Sequence, residues 1–178
     1  MPLRQEDARF AIGLDLILTN PSRTHIALIV REDEECYALL GEKMHWGERA
    51  DQAFLRALRE ELGLTEILPS HTNGILNRKL QASGILRWQL AGLFGLLRPE
   101  RDPRFLQTSP AKRAQVLSLV YLVDCDLQRL LEAGRPGSSV LRLEIFGITD
   151  LPPLFLDHAE LIRDILEAEQ RGKLPLLC

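Results

Sequence analysis

Glu60 and Glu61 stand side by side near the end of a stretch that begins Gly41-Glu42-Lys43-Met44-His45-Trp46-Gly47-Glu48 and continues to Arg56, Gly63 and Leu64. Paired carboxylates beside backbone carbonyls suit a hard divalent cation such as Mg²⁺, which prefers oxygen ligands and usually holds substrate phosphates too. Arg56 falls one helical turn before Glu60 and can tie Glu48 or Glu60 in place. No Ser/His/Asp or Cys/His arrangement for nucleophilic catalysis is legible. The chemistry on offer is metal-assisted work on a phosphate compound.

Those residues need a strand, a loop and a helix to hold them. Ala50, Ala53, Phe54, Ala57 and Leu58 recur at helical spacing, and Gly63 supplies a stop, so a helix is predicted from about Arg49 to Leu62. The apolar stripe occupies the core side of that helix, which leaves Glu60 and Glu61 flanking one edge. Upstream, Phe10–Thr19 and His25–Val30 read as strands, and a charged turn at Arg31–Glu35 leads to a further strand, Cys36–Leu40, as a hairpin. Downstream, Gly74–Leu80 and Ile85–Leu97 read as strands. A long loop is predicted over Arg98–Ala114, a buried strand over Gln115–Val123, a short helix over Leu127–Ala133 and a strand over Val140–Ile148. A last helix follows Asp157, with Asp157 and Glu160 spaced as a capping box. Strands mixed with a few helices imply an α/β or α+β domain spanning 1–178.

The stretch Gly41–Leu64 resembles the Nudix box, G-x5-E-x7-R-E-U-x-E-E-x-G-U, with U apolar. Aligned on Glu48, it matches at Arg56, Leu58, Glu60, Glu61, Gly63 and Leu64, seven of nine defined positions. That agreement arises by chance at roughly 10⁻⁵ per starting position. The two departures are Glu42, where the box has its first Gly, and Ala57, where it has a Glu. Segments at Leu93–Arg104, Val116–Val123 and Leu154–Glu160 look like the corresponding parts of ADP-ribose pyrophosphatase-like members.

The resemblance implies an α/β/α sandwich around a central mixed sheet. It also implies hydrolysis of a nucleoside diphosphate linked to another moiety, by water and with Mg²⁺ or Mn²⁺. Carried over by position, Gly41 offers its carbonyl and Glu60 and Glu61 their carboxylates, while Glu48 and Arg56 brace the loop. Ala57 leaves a gap, because its counterpart is commonly a metal ligand and in some members the general base. Glu42 either replaces the lost carboxylate or is a solvated substitution, and Glu48 is a further candidate ligand. Glu100 and Asp102 are the nearest outside candidates for a base. Arg101 and Arg104 serve either solubility or phosphate and ribose contacts. Trp46 either stacks on a base or anchors the loop, and His45 and His158 are read as structural. The rival to a hydrolase is a catalytically weak or inactive nucleotide-binding module of the same fold.

Composition narrows the partners. Apolar residues make up 46% of the 178-residue chain and charged residues 26%, enough apolar material for a real core. The 22 basic against 25 acidic side chains argue against a broad nucleic-acid surface. Cys36, Cys125 and Cys178 form no framework for a disulfide or zinc fold. The N-terminal residues lack a signal-peptide core, and no apolar run is long enough for a bilayer. A cytoplasmic location is expected, with a small-molecule nucleotide as partner. The apolar Phe10–Thr19 run and the resemblance both suggest a homodimer.

Overall fold

β1 (Arg9–Thr19) is covered on both faces, which is why its sequence is an almost unbroken apolar run. Leu14, Leu16 and Leu18 enter one core and Ile17 the other, as strand alternation requires. The computed structural model describes residues 9–32, 36–64, 73–96, 114–137, 140–155 and 157–177. β1 pairs in parallel with β6 (Ala114–Cys125), from Arg9 opposite Ala114 to Thr19 opposite Asp124. Its other edge is shared. β2 (His25–Arg31) takes the Leu18–Thr19 end, and β4 (Leu40–Lys43) takes Gly13–Leu16, both antiparallel.

β3 (Tyr37–Ala38) pairs with β2, so the predicted hairpin forms. The predicted strand Cys36–Leu40 is nevertheless broken at Leu39, whose N–H goes to His158 Nδ1 instead of to a strand. That break lets the chain leave β2 and join β1. β5 (Ile85–Leu96) lies beyond β6, with β8 (Leu176–Leu177) on its far edge, and β7 (Val140–Gly147) pairs with β2. Parallel and antiparallel ladders thus share one mixed sheet.

Helices cover both faces of it. α1 (Ala50–Leu62) buries Ala53, Phe54, Ala57, Leu58 and Leu62 in the core that contains Leu14 and Leu16. α2 (Asn73–Ala82) and α3 (Leu127–Ala133) add Leu80, Leu127 and Leu130 to the same core. α4 (His158–Gln170) packs Leu161, Ile162, Ile165 and Leu166 against Ile17, Ile26, Leu28 and Leu122 on the other face. The architecture is the α/β/α sandwich that the resemblance implied. None of the described helices is long and apolar enough to cross a membrane.

Two expectations need correction. Gly74–Leu80 is helix, not strand: Leu, Arg, Lys, Gln and Ala dominate Leu76–Ala82, and these are strong helix formers. Asp157 makes no side-chain cap at α4, because at φ −90° and ψ 17° it has already left the extended conformation that capping uses. Of the apolar run that suggested a dimer, Leu14, Leu16, Ile17 and Leu18 are covered by helices on the two faces, while Ile12 stays 49% exposed.

Candidate active site

The loop from β4 into α1 is closed by one guanidinium. Arg56, buried near the middle of α1, donates from Nε to Glu48 Oε1 at 2.8 Å and from Nη2 to Glu48 Oε2 at 3.0 Å. The same Nη2 reaches the Lys43 carbonyl at 2.7 Å, and Nη1 reaches Glu60 Oε2 at 3.2 Å. Glu42 Oε2 lies 3.6 Å from Nη1. Such a two-pronged Arg–carboxylate pair is among the stronger hydrogen-bonded contacts. Glu48 Oε2 also accepts from His45 N–H at 2.8 Å, so both oxygens of Glu48 are engaged. Hydrogen bonding to Arg56, against some burial, holds the Glu48 carboxyl down at about 2. Glu60 is half-exposed; burial opposes its ionisation, but Arg59 and Arg56 bring its carboxyl below the ordinary value.

Glu61, the next residue, is buried and points at β4, where its Oε2 accepts from Gly41 N–H at 3.0 Å. Burial first, and the Glu42 charge second, push its carboxyl up to about 8, although the Gly41 N–H works in the opposite direction. A carboxylate in that position gains most from a nearby cation. The end of α1 is fixed by Gly63, in the left-handed region at φ 63°. Beyond it, Arg135 N–H bonds the Leu62 carbonyl at 2.6 Å and Gly137 N–H bonds the Glu61 carbonyl at 3.0 Å. These contacts satisfy acceptors that a helix end otherwise leaves open. Gly41 is needed for close approach: a Cβ there would lie 2.5 Å from both Asp15 Oδ1 and the Leu14 carbonyl oxygen.

Past Gly41 the β1–β4 pair forms the floor of a cleft of about 320 Å³. Gly13, Asp15, Arg31, Lys43, Phe155 and His158 are among its lining residues. Asp15, buried, accepts a short hydrogen bond at Oδ2 from Ser118 Oγ. His158, also buried, accepts from Leu39 N–H at Nδ1, 3.1 Å, and its Nε2 stands 3.8 Å from Asp15 Oδ1.

No family model matches the chain. A curated ADP-ribose pyrophosphatase from Methanocaldococcus jannaschii is 26% identical over 159 residues, covering 88% of this chain and 73% of the relative. Among solved structures, a mutT/nudix family protein from Listeria innocua superposes with TM-score 0.57 and 21% identity, covering 93% of this chain and 98% of that one. The NUDIX domain of Shewanella oneidensis NrtR, complexed with ADP ribose, superposes with TM-score 0.53 and 16% identity over 93% and 88%. The chain shares the fold of these Nudix proteins.

Seen as a Nudix box, the motif gathers Gly41, Glu42, Glu48, Arg56, Glu60 and Glu61 on one edge of the sheet, with Gly63 closing the helix behind them. Glu60 and Glu61 do not flank a common edge as predicted. Glu61 shares the buried face with Ala57, one turn earlier, and only Glu60 turns outward. Ala57 has no exposed surface and packs in the core. Trp46 is fully exposed at the loop tip. Glu100, Arg101, Asp102 and Arg104 lie outside the described residues.

Among the described residues no three His, Cys, Asp or Glu side chains converge as a metal cage. The donors fit a magnesium-type cation, which takes one or two carboxylates and completes its shell with water and phosphate. Sequence reasoning missed Asp15, Ser118 and the cleft side of His158. The available signal was a lone polar residue inside each of two apolar runs, Asp15 in β1 and Ser118 in β6.

Proposed function

We propose that the protein is a metal-dependent hydrolase of a nucleoside diphosphate linked to another moiety, ADP-ribose-like compounds first, cleaved by water at the pyrophosphate. One observation carries this reading: Glu61 is held by Gly41 N–H, buried beside Glu42, at the rim of a cleft lined by Arg31 and Lys43. The relative named as an ADP-ribose pyrophosphatase and the neighbour solved with ADP ribose support the substrate class.

Mg²⁺ or Mn²⁺ would be held by Glu60, Glu61 and the Gly41 carbonyl, with Glu42 adjacent, and supplies neutralisation of phosphate oxygens and a lowered pKa for bound water. The chain's own residues do the positioning. Arg56 and Glu48 fix the loop so that Gly41 and Glu61 stay in register. Arg31 and Lys43 offer positive charge along the cleft for the diphosphate, with Arg101 and Arg104 as further phosphate or ribose contacts. Glu100 and Asp102 are the proposed candidates for the general base. Homodimerisation and a cytoplasmic location belong to the same proposal. A light-scattering mass of twice 20.2 kDa supports the dimer, and 20.2 kDa counts against it.

Binding without turnover is the second reading, favoured by Ala57, where a box carboxylate is replaced by a core methyl. Nucleoside diphosphate sugars, dinucleotides and nucleoside triphosphates, screened with Mg²⁺ and with Mn²⁺, separate the two. Metal-dependent release of a nucleoside monophosphate supports the hydrolase, and tight binding with no product at any metal concentration supports the module.

A further inference from the structure

Asp15 and Ser118 interrupt a face of the sheet that is otherwise packed with Ile17, Leu28, Leu122 and the apolar side of α4, and His158 opens that helix beside them. They keep only 8%, 0% and 5% exposure, and burying a carboxylate and an imidazole together costs free energy unless their polar atoms are satisfied. Ser118 satisfies Asp15 Oδ2. Leu39 N–H satisfies His158 Nδ1, which places the ring proton of the neutral imidazole on Nε2. Burial favours that neutral ring, with Arg31 acting in the same direction and Asp15 and Asp157 opposing.

Two atoms are left over: an acceptor, Asp15 Oδ1, and a donor, His158 Nε2–H. They stand 3.8 Å apart, too far for a hydrogen bond to each other. No fully enclosed side-chain nitrogen or oxygen among the described residues lacks a partner, so both atoms open onto the cleft they line. A single oxygen can sit roughly 2.8 Å from both at once. It must accept from Nε2–H and donate to Oδ1. A phosphate or carbonyl oxygen cannot donate, and an ammonium cannot accept; a hydroxyl does both, as does the water it would displace.

We infer that Asp15 and His158 form a hydroxyl-reading pair, which selects a sugar hydroxyl of the ligand and seats it against Gly41. This rests on the nucleotide-hydrolase reading and deepens it, since the same Asp15 oxygen, together with the Leu14 carbonyl, excludes any side chain at Gly41, whose N–H holds Glu61. The sugar is thereby registered to the edge that carries the box carboxylates.

Titration calorimetry with ADP-ribose and UDP-glucose, each compared with its single-deoxy sugar analogues in Ca²⁺ buffer, tests the pair. For the wild-type protein one deoxy position weakens binding by about tenfold to a hundredfold, the worth of a hydrogen bond to a charged group. Asp15→Asn keeps a partner for Ser118, and His158→Asn keeps an acceptor for Leu39 N–H. Each weakens the parent ligand by a similar factor and abolishes discrimination at that one position, with thermal melting confirming the fold. Equal wild-type affinity for a parent and all its deoxy analogues overturns the pair without need of any variant. Undiminished discrimination in folded Asp15→Asn does the same. Failure of both parents to bind overturns the function reading itself, and with it this one.

Discussion

The box edge and the cleft meet at Gly41 but are built from opposite materials. On the box edge, charge answers charge: Arg56 is shared by Glu48, Glu60 and Glu42, and two of these contacts are within 3.0 Å of Glu48. In the cleft, one carboxylate and one neutral ring face each other without bonding. The edge is self-sufficient and holds its shape by its own ion pairs. The cleft pair is incomplete until a third group arrives. A protein that must keep a reactive loop rigid while sorting ligands gains from this division, because strain in one part need not disturb the other.

Arg56→Ala strikes the edge hardest. It leaves the Lys43 carbonyl without its side-chain donor and Glu48 with only the His45 N–H in a nearly buried site, and breaking such a pair from one side typically costs about 3–5 kcal/mol. Urea denaturation should show this loss, and metal-dependent turnover should fall with it. Binding of ligand hydroxyls by Asp15 and His158 should survive in whatever fraction remains folded. Loss of deoxy-analogue discrimination in that fraction would show the two regions to be one unit.

Ala57→Glu tests how the edge manages with a missing carboxylate. The new side chain starts from a position with no exposure, one turn before Glu61 on the same face. Without metal, stability is expected to fall by about 2–4 kcal/mol. Saturating Mg²⁺ should restore much of it, and hydrolysis should rise toward the ~10²-fold lower end of what acid–base assistance supplies. A stability loss that Mg²⁺ leaves untouched, with no gain in rate, would separate Ala57 from the metal and direct the search for a base to Glu100 and Asp102.

The same contrast explains what the sequence could reveal. Gly41 to Glu61 spans 20 positions of chain, so a helix of known pitch carries the spacing of Glu48, Arg56 and Glu60 directly into geometry. β1, β2 and β6 were legible because burial on two faces forces long apolar runs, and β5 was legible from its apolar residues although Leu86 and Leu90 stay exposed. The cleft was not legible. Asp15 and Ser118 are 103 positions apart, and Leu39 and His158 are 119 apart, so their meeting depends on strand order and on the break at Leu39. α2 was misread because Ile75 and Leu76 sit where either period accommodates them, and propensity then decided for helix.

Acid separates the two regions again. His158 has its folded pKa pushed below the ordinary 6.5 by burial, while Asp15 and Asp157 oppose this and Arg31 adds to it. Below about 6.5 the unfolded chain therefore takes up more protons than the native one, and stability falls from that point through the folded value. The slope from one such group is at most about 1.4 kcal/mol per pH unit. Glu48, held at about 2 against an ordinary 4.5, adds stability that is complete above about 4.5 and disappears only as pH falls toward 2. Glu61, pushed up to about 8, gains stability as pH falls from about 8 to 4.5 and so offsets the His158 slope in that range. Chemical denaturation at a series of pH values is therefore read as the difference between the wild-type protein and His158→Asn, which should lose less stability than the wild type below about 6.5 and show the same Glu48 limb toward pH 2. Identical pH profiles for the two proteins would contradict the built-in neutral imidazole.

The smallest effect is expected at Trp46. Its side chain is fully exposed at the tip of the β4–α1 loop, next to Gly47 at φ 77°. Trp46→Ala should leave stability within about 0.5 kcal/mol, as for surface substitutions away from packing. For ADP-ribose, KM should rise less than about threefold with kcat unchanged if, as proposed, the cleft takes the sugar and its lining Arg31 and Lys43 take the diphosphate. Stacking of a base on an aromatic ring contributes about 1–3 kcal/mol, so a ligand that used Trp46 would lose roughly fivefold to a hundredfold or more. A KM increase of that size with the Asp15-dependent discrimination intact would mean that the nucleotide bridges both regions, its base on the box loop and its sugar in the cleft. Gly41 would then be the point over which the diphosphate bends, and the bare α-carbon there would serve the ligand as well as Asp15.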